Sequence, residues 1–244
     1  MIAATPNTFG LPHVSQNNHN RLQDLAAGSI NLDELREFVP VIQRKLTSGQ
    51  YLYRSGQPFQ ALFLVHSGFL KTGLISEDGR EQVTGFRMRG DLLGVESIGL
   101  RTHTSDAIAL DTSSVWELAY PAVLRACTHI PGLQAQLTAA MASEIRSDRS
   151  WMLALGTLGA EQRVASFLLN IAARHAALGF SSSRFVLRMR RADIGSFLAL
   201  KHETVTRALT RLGAQGCISV NWREVRILDA DALSEMVGQD VRVH

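Results

Sequence analysis

The feature that most limits how this chain can fold is a change of texture near residue 130. From about 46 to 120, apolar residues come in short β-type runs separated by Gly-bearing turns: YLYRSG, ALFLVHSG, FLKTGLI, EQVTGFRM, DLLGVESIGL and SSVWELA. Asp78-Gly79 falls between two of these runs, and that dipeptide favours a tight hairpin. Many short strands at close spacing predict a small antiparallel barrel or β-roll. From Gly132 to Leu155 the pattern becomes helical without a break. There Met141, Ile145, Met152 and Leu155 follow steps of four and three, a coiled-coil-like seam, with Asp148 in the same seam. A second helical run spans Glu161 to Ala177, and a short helical pattern over Asp33–Ile42 precedes the strands. Residues 1–28 are polar, rich in Asn, His and Gln, and without a sustained period, which predicts a loose arm.

Residues 189–212, MRRADIGSFLALKHETVTRALTRL, fit two short helices crossing at a tight turn, with Ile194, Leu198, Leu200, Val205 and Leu209 inside. The second helix carries Glu203, Thr206 and Arg207 on one face. A carboxylate there can accept from cytosine N4, and a guanidinium one turn away can fork onto guanine O6 and N7. Helices of this kind read the DNA major groove with residues near their N-terminus. CISVNWREVRIL then predicts two strands around Asn221–Glu224, a wing beside the helix-turn-helix. The net charge of +3 conceals an asymmetry, because residues 184–226 hold nine basic and three acidic side chains. That is the electrostatic footprint of phosphate contacts; a surface helix with a solvated charged face is the plainer alternative.

Composition narrows the remaining classes. No apolar run approaches the ~18–20 residues of a membrane span. The N-terminus lacks the basic start and apolar core of a secretory signal, so the chain is expected in the cytoplasm without a membrane partner. Cys127 and Cys217 lie far apart with no C-x-x-C, which disfavours a disulfide framework or a zinc ribbon. A metal-dependent β-barrel enzyme of the cupin type would need clustered histidines beginning at H-x-H. The chain has no H-x-H, nucleophile elbow, P-loop or H-E-x-x-H, so no catalytic residue and no metal site is predicted.

β-roll, long helix and winged helix in this order resemble the CRP/FNR superfamily of bacterial transcription regulators, over about residues 30–235. The resemblance is carried by TGF (84–86), GDLLGVESIG (90–99), ASEIRSD (142–148), AEQRVASFLLN (160–170) and RADIGSFLALKHETVTR (191–207), and it is closest to the FNR-type branch. It implies an α+β protein: a loose arm (1–28), an antiparallel β-roll like a cyclic-nucleotide-binding jelly roll (29–128), a dimerisation helix (129–157) and a winged helix-turn-helix that binds DNA (158–244). It implies a homodimer on double-stranded DNA, with Met141, Ile145, Asp148, Met152 and Leu155 at the interface. The Glu-x-x-Ser-Arg reading triplet of FNR-type proteins appears as Glu203, Thr206 and Arg207, which implies a TTGAT-like half-site. Two departures are His202, where FNR-type proteins have an apolar residue, and Ala199, where relatives often have Gly; His202 joins the base-reading candidates. Arg191, Lys201 and Arg223 are the expected phosphate contacts. Thr84, Gly85 and Phe86 match a surface loop with which relatives touch RNA polymerase, which favours an activator.

The sensor half departs further. Cyclic-AMP-binding relatives hold the ligand phosphate with an Arg-Ser pair, but THTSDAIAL puts Ser105 and Asp106 there, and an aspartate repels phosphate. Oxygen-sensing relatives ligate an iron–sulfur cluster through cysteines near the N-terminus and in the roll; here the arm has none and the roll position is Trp116. No cofactor is therefore predicted. Open alternatives are an unidentified ligand, no effector, a haem-mediated nitric-oxide sensor with His13, His19, His66 or His103 as axial ligand, or a redox thiol at Cys127. In the seam, Asp148 facing its two-fold mate would oppose dimerisation, unless the mate's Arg146 or Arg149 neutralises it.

Overall fold

The computed structural model describes residues 32–76 and 79–238, so the arm and the hairpin residue Asp78 lie outside the described residues. Helix α1 (Leu32–Phe38) leads into strand β1 (Val41–Leu46). The helical pattern read through Ile42 thus ends four residues early. Pro40 cannot continue the helix and pushes Val39 towards extended backbone. Leu35 and Val39 are buried at helical spacing, whereas Ile42 is 57% exposed on the edge strand β1.

The roll comprises two facing antiparallel sheets. One is ordered β1, β8 (Ser113–Ala119), β3 (Ala61–Ser67), β6 (Leu92–Leu93). The other is ordered β2 (Tyr51–Tyr53), β7 (Asp106–Ala109), β4 (Leu70–Ile75), β5 (Glu81–Arg87). Strand β3 explains the unbroken apolar run ALFLV. Its Ala61, Phe63 and Val65 enter the core between the sheets, while Leu62 and Leu64 face a second core with α1, α2 (Tyr120–Ala126) and the start of the long helix. Strand β7, hidden in THTSDAIAL, was not anticipated. Gly79 at φ +80° and a Ser76 N–H to Arg80 carbonyl bond close the β4–β5 turn.

Helix α3 (Leu133–Thr157) is the long helix, about 37 Å at 1.5 Å per residue. Helix α4 (Ala160–Ala177) follows, with the Gln162 side chain accepting from the Gly159 amide at 2.8 Å at its start. Arg163 donates to the carbonyls of Leu155 and Leu158 in and just after the last turn of α3 and to Leu198, tying the helix junction to the helix-turn-helix. The helix-turn-helix is α5 (Arg191–Phe197) and α6 (His202–Ala214). Its wing is a three-stranded sheet in which β11 (Glu224–Ile227) lies between β10 (Ile218–Asn221) and β9 (Arg184–Val186). The third strand β9 and the closing helix α7 (Ala230–Val237), capped by Asp229 on the Ala232 amide, were not anticipated.

The tight turn depends on two small residues. A Cβ on Gly195 would stand 2.6 Å from the Leu200 carbonyl oxygen, so the helices approach closely only because it is glycine. Ala199 sits at φ +53°, where an L-residue is strained by about 1–2 kcal/mol. Alanine at this position is therefore tolerated at a cost.

One hydrophobic cluster joins the roll to the C-terminal part. Val83 and Phe86 of β5 pack with Trp151 and Ala154 of α3, Phe167 of α4 and Phe197 of α5. Phe86 stands edge-on to Phe167 at 5.8 Å and to Phe197 at 5.3 Å. The resemblance placed Thr84, Gly85 and Phe86 in an exposed loop. The structure instead puts all three inside β5, with Gly85 and Phe86 buried and only Thr84 exposed. Phe86 is held by the domain junction and is not presented to a polymerase.

Candidate functional site

The second helix of the helix-turn-helix divides cleanly. Val205, Ala208, Leu209 and Leu212 are buried, while His202, Glu203, Thr206 and Arg207 are exposed together on the outer side. Their chemistry is largely uncommitted. His202 Nε2 lies 3.3 Å from Glu203 Oε1, and Arg207 Nη2 makes only a long contact to Thr204 Oγ1 at 3.4 Å. Thr206 donates its hydroxyl to the His202 carbonyl at 3.0 Å, which leaves its methyl and an oxygen lone pair for an outside partner.

Charge pairing sharpens the basic footprint. Of the nine basic side chains between 184 and 226, five meet a carboxylate. Arg184 and Arg226 share Glu224 at 2.6 and 3.2 Å, Arg190 holds Asp193, Arg211 holds Glu161, and Arg188 approaches Asp111 at 3.5 Å. Arg191, Lys201, Arg207 and Arg223 pair with no carboxylate among the described residues. These four include all three expected phosphate contacts. Lys201 is exposed at the N-cap of α6. Arg191 opens α5 and donates to the Trp222 carbonyl at 3.0 Å; burial and then the nearby Arg223 lower its pKa. The Arg223 guanidinium lies 4.9 Å over the Trp222 ring. Two cations held together without an anion leave a site that favours an external one.

A junction that sequence reasoning missed holds the helix-turn-helix on the roll. Lys71 of β4 is buried (5% exposed) and donates to Asp193 of α5 (3% exposed) at 2.9 Å and to Glu81 at 2.5 Å. Burial alone would raise the Asp193 carboxyl, but hydrogen bonds from Arg190 and Lys71 outweigh it and hold it below the usual range. Burial would lower the Lys71 ammonium, and its two carboxylate partners reverse that too. Ser196 Oγ accepts from the Val83 amide at 2.9 Å, and Gln82 Nε2 donates to the Ser196 carbonyl. Arg174 of α4 reaches the Phe86 carbonyl at 2.8 Å and the Asp91 carboxylate. The sequence signal was slight, namely an aspartate three residues after Arg190, where a side chain can cap a helix start.

Within the roll, several polar groups are turned on one another. Glu96 accepts from Ser105 at 2.8 Å and from the Tyr53 hydroxyl at 3.3 Å. Tyr53 stacks on His103 at 3.9 Å and lies 5.6 Å from Phe63. Asp106 is buried and accepts from the Ser55 amide at 2.7 Å. Burial lowers the His103 pKa. Of the haem-ligand candidates, His103 and His66 are engaged in ring contacts, His66 with Trp116 at 4.3 Å, and His13 and His19 lie outside the described residues. Burial pushes the Cys127 thiol up, away from thiolate. Among the described residues, no cluster of three or more His, Cys, Asp or Glu could hold a metal ion.

On α3 the seam residues Met141 and Leu155 are half-buried, while Ile145 and Met152 are 52% and 71% exposed. Asp148 is exposed between them, and its carboxyl is raised by partial burial and by Glu144 one turn away, against Arg87. Arg87 of β5 grips Glu144 through two N–H donors. No described helix is long and apolar enough to cross a membrane.

Residues 162–236 match the model of the Crp-like helix-turn-helix domain, and residues 43–129 match that of the cyclic nucleotide-binding domain. The chain is 40% identical over 209 residues to the transcriptional regulatory protein btr of Bordetella pertussis, covering 86% of this chain and 85% of the relative. It is 40% identical over 208 residues to the transcriptional activator protein anr of Pseudomonas aeruginosa, covering 85% of each. Among solved structures, FixK2 from Bradyrhizobium japonicum superposes with a TM-score of 0.75 at 28% identity, over 82% of this chain and 98% of that one. The fold, the exposed face of α6 and relatives matched over about 85% of their length converge: the chain belongs to the CRP/FNR family of transcription regulators, and it binds DNA through its winged helix-turn-helix rather than acting as an enzyme.

Proposed function

We propose that this regulator works as a cytoplasmic homodimer on a TTGAT-like palindrome, chiefly as an activator that engages RNA polymerase, and without a cyclic nucleotide. The observation that carries the reading is the exposed set Glu203, Thr206 and Arg207 on α6, surrounded by the uncompensated cations Arg191, Lys201 and Arg223. Glu203 and Arg207 share the central G·C pair of each half-site, the Thr206 methyl packs on a thymine, and His202 acts on the outer base or a phosphate. The exposed Ile145 and Met152 give α3 an apolar stripe for its two-fold mate, together with Met141 and Leu155. Pairing there sets the two recognition helices about one DNA turn, ~34 Å, apart. The name of the relative from Pseudomonas aeruginosa supports activation.

Absence of cyclic-nucleotide control is supported by Asp106 at the phosphate position and by the engagement of Glu96 with Tyr53 and Ser105. The test is a fluorescence-anisotropy titration of a TTGAT-N4-ATCAA duplex against a scrambled duplex at one salt concentration, with protein purified in air and no ligand added. Dissociation constants near ~10⁻⁸ M for the palindrome, at least a hundredfold below the control, are expected. Equal weak binding to both duplexes would refute the half-site or show that an effector is required. Separately, addition of cyclic AMP should change neither affinity nor thermal stability.

A further inference from the structure

The wing tip carries an arrangement that base reading by α6 does not use. Asn221 pairs with Glu224, so β10 and β11 are joined by Trp222 and Arg223 alone. Trp222 stands at φ +54°, a backbone region that glycine enters freely and a bulky side chain does not. The residue is also 81% exposed, more than any other large apolar residue among the described residues. Backbone conformation and hydration both disfavour a tryptophan at this turn, and glycine would satisfy both. Strain of this kind persists at positions that touch something else.

The neighbours identify that partner. The Arg223 guanidinium lies over the indole, and Arg191 donates to the Trp222 carbonyl. Neither cation has a carboxylate among the described residues. Arg191 also opens α5, the helix that crosses the DNA backbone when the following helix lies in the major groove. The tip therefore combines an apolar plate with two uncompensated positive charges, one of them at the start of α5. A protein surface covering it would have to bury both charges, whereas a duplex neutralises them.

We propose that Trp222 is a DNA contact: its indole enters the minor groove flanking each half-site and packs on the deoxyribose wall, with Arg191 and Arg223 on the adjoining phosphates. Apolar side chains set among basic ones are used in this way by proteins that engage the minor groove. The inference rests on DNA binding by the winged helix-turn-helix and not on the identity of the half-site.

The test compares the full-length parent with Trp222→Gly and Trp222→Phe on the TTGAT-N4-ATCAA duplex and on a scrambled duplex, each with ten flanking base pairs per side. Trp222→Gly is expected to bind both duplexes at least about 30-fold more weakly, because the dimer loses two aromatic contacts of about 1–3 kcal/mol each. Its salt dependence should match the parent, since no charge is removed. Its thermal midpoint should be equal or higher, because glycine relieves the turn, and Trp222→Phe should stay within about threefold of the parent. Binding by Trp222→Gly within twofold of the parent on both duplexes overturns the proposal. So does a loss of affinity that comes with a lowered thermal midpoint, since the ring would then be structural. A parent that fails to distinguish the palindrome from the scrambled duplex refutes the half-site or shows that an effector is required, and the comparison on the scrambled duplex still decides the role of Trp222.

Discussion

Replacing Asp193 by Asn should weaken the hold of the roll on the helix-turn-helix while leaving the local fold intact. Asparagine has nearly the same volume, and its side-chain oxygen can still accept from the Arg190 amide, which Asp193 caps at 2.9 Å. What disappears is the charge facing Lys71 at 2.9 Å in a junction where both side chains are almost fully buried. At an effective dielectric of 20, that distance corresponds to a gross attraction of about 6 kcal/mol. Removing one member of a buried pair costs about 3–5 kcal/mol. Lys71 keeps Glu81 at 2.5 Å, so the expected loss falls to about 2–4 kcal/mol. Urea unfolding followed by tryptophan emission reads it, because Trp151 lies at this junction, 4.8 Å from Phe197. Lys71→Met combined with Asp193→Asn should recover at least about 1 kcal/mol relative to the sum of the single changes, since no lone charge remains buried. Additive single and double changes, or a loss below about 0.5 kcal/mol for Asp193→Asn, would refute this account of the junction. The pH dependence follows from the directions of the shifts. The depressed Asp193 carboxyl stabilises fully above its unfolded value near ~3.9, and that stability is lost as pH falls through the lower folded value. The raised Lys71 stabilises fully below its unfolded value near ~10.4, and that stability is lost as pH rises through the higher folded value. Parent and Asp193→Asn should therefore converge in acid.

Ala199→Gly should stabilise the protein by about 0.5–1 kcal/mol in the same urea assay, because the turn needs φ +53°; an unchanged midpoint would show that the turn is unstrained. Arg207→Lys keeps the charge but loses the planar fork, so discrimination at the central G·C pair should fall about tenfold while binding to scrambled DNA stays within twofold, by anisotropy on single-base-pair variants. Asp148→Ala should tighten the dimer at least about tenfold in analytical ultracentrifugation, because two partly desolvated like charges leave the seam. An unchanged dimer dissociation constant would mean that the mate's arginines already neutralise Asp148.

The parts legible in the sequence were those encoded locally. The buried positions of α5 and α6 and the close approach at Gly195 lie within a few residues of one another, so the helix-turn-helix could be read from its own segment. The wing was readable for the same reason, through two runs around Asn221–Glu224. What escaped depends on distant partners or on competing periods. Leu35 and Val39 pack at helical spacing and drew β1 into a helix that Pro40 ends. Strand β7 has four residues and opens on a buried aspartate, so no alternation marks it. Lys71 and Asp193 are 122 positions apart, and nothing in either neighbourhood announces the other. Thr84–Phe86 failed differently. The resemblance supplied a surface loop, but Val83 and Phe86 belong to the apolar cluster shared with α3, α4 and α5.

Strand β5 is the element that the roll and the C-terminal part share. Arg87 holds Glu144, one turn before Asp148 in the seam, and Val83 and Phe86 hold Phe197 and Ser196 of α5. The neighbouring strand β4 supplies Lys71 to Asp193 of the same helix. Helix α5 in turn fixes α6 through the close contact of Gly195 with Leu200. A displacement of β4–β5 must therefore either break a buried ion pair and an aromatic cluster or carry α5, and the reading face of α6, along with it. The roll is thus tied to the reading helix through α5 and, by the same strand, to α3, where Trp151, Ala154 and Glu144 hold β5.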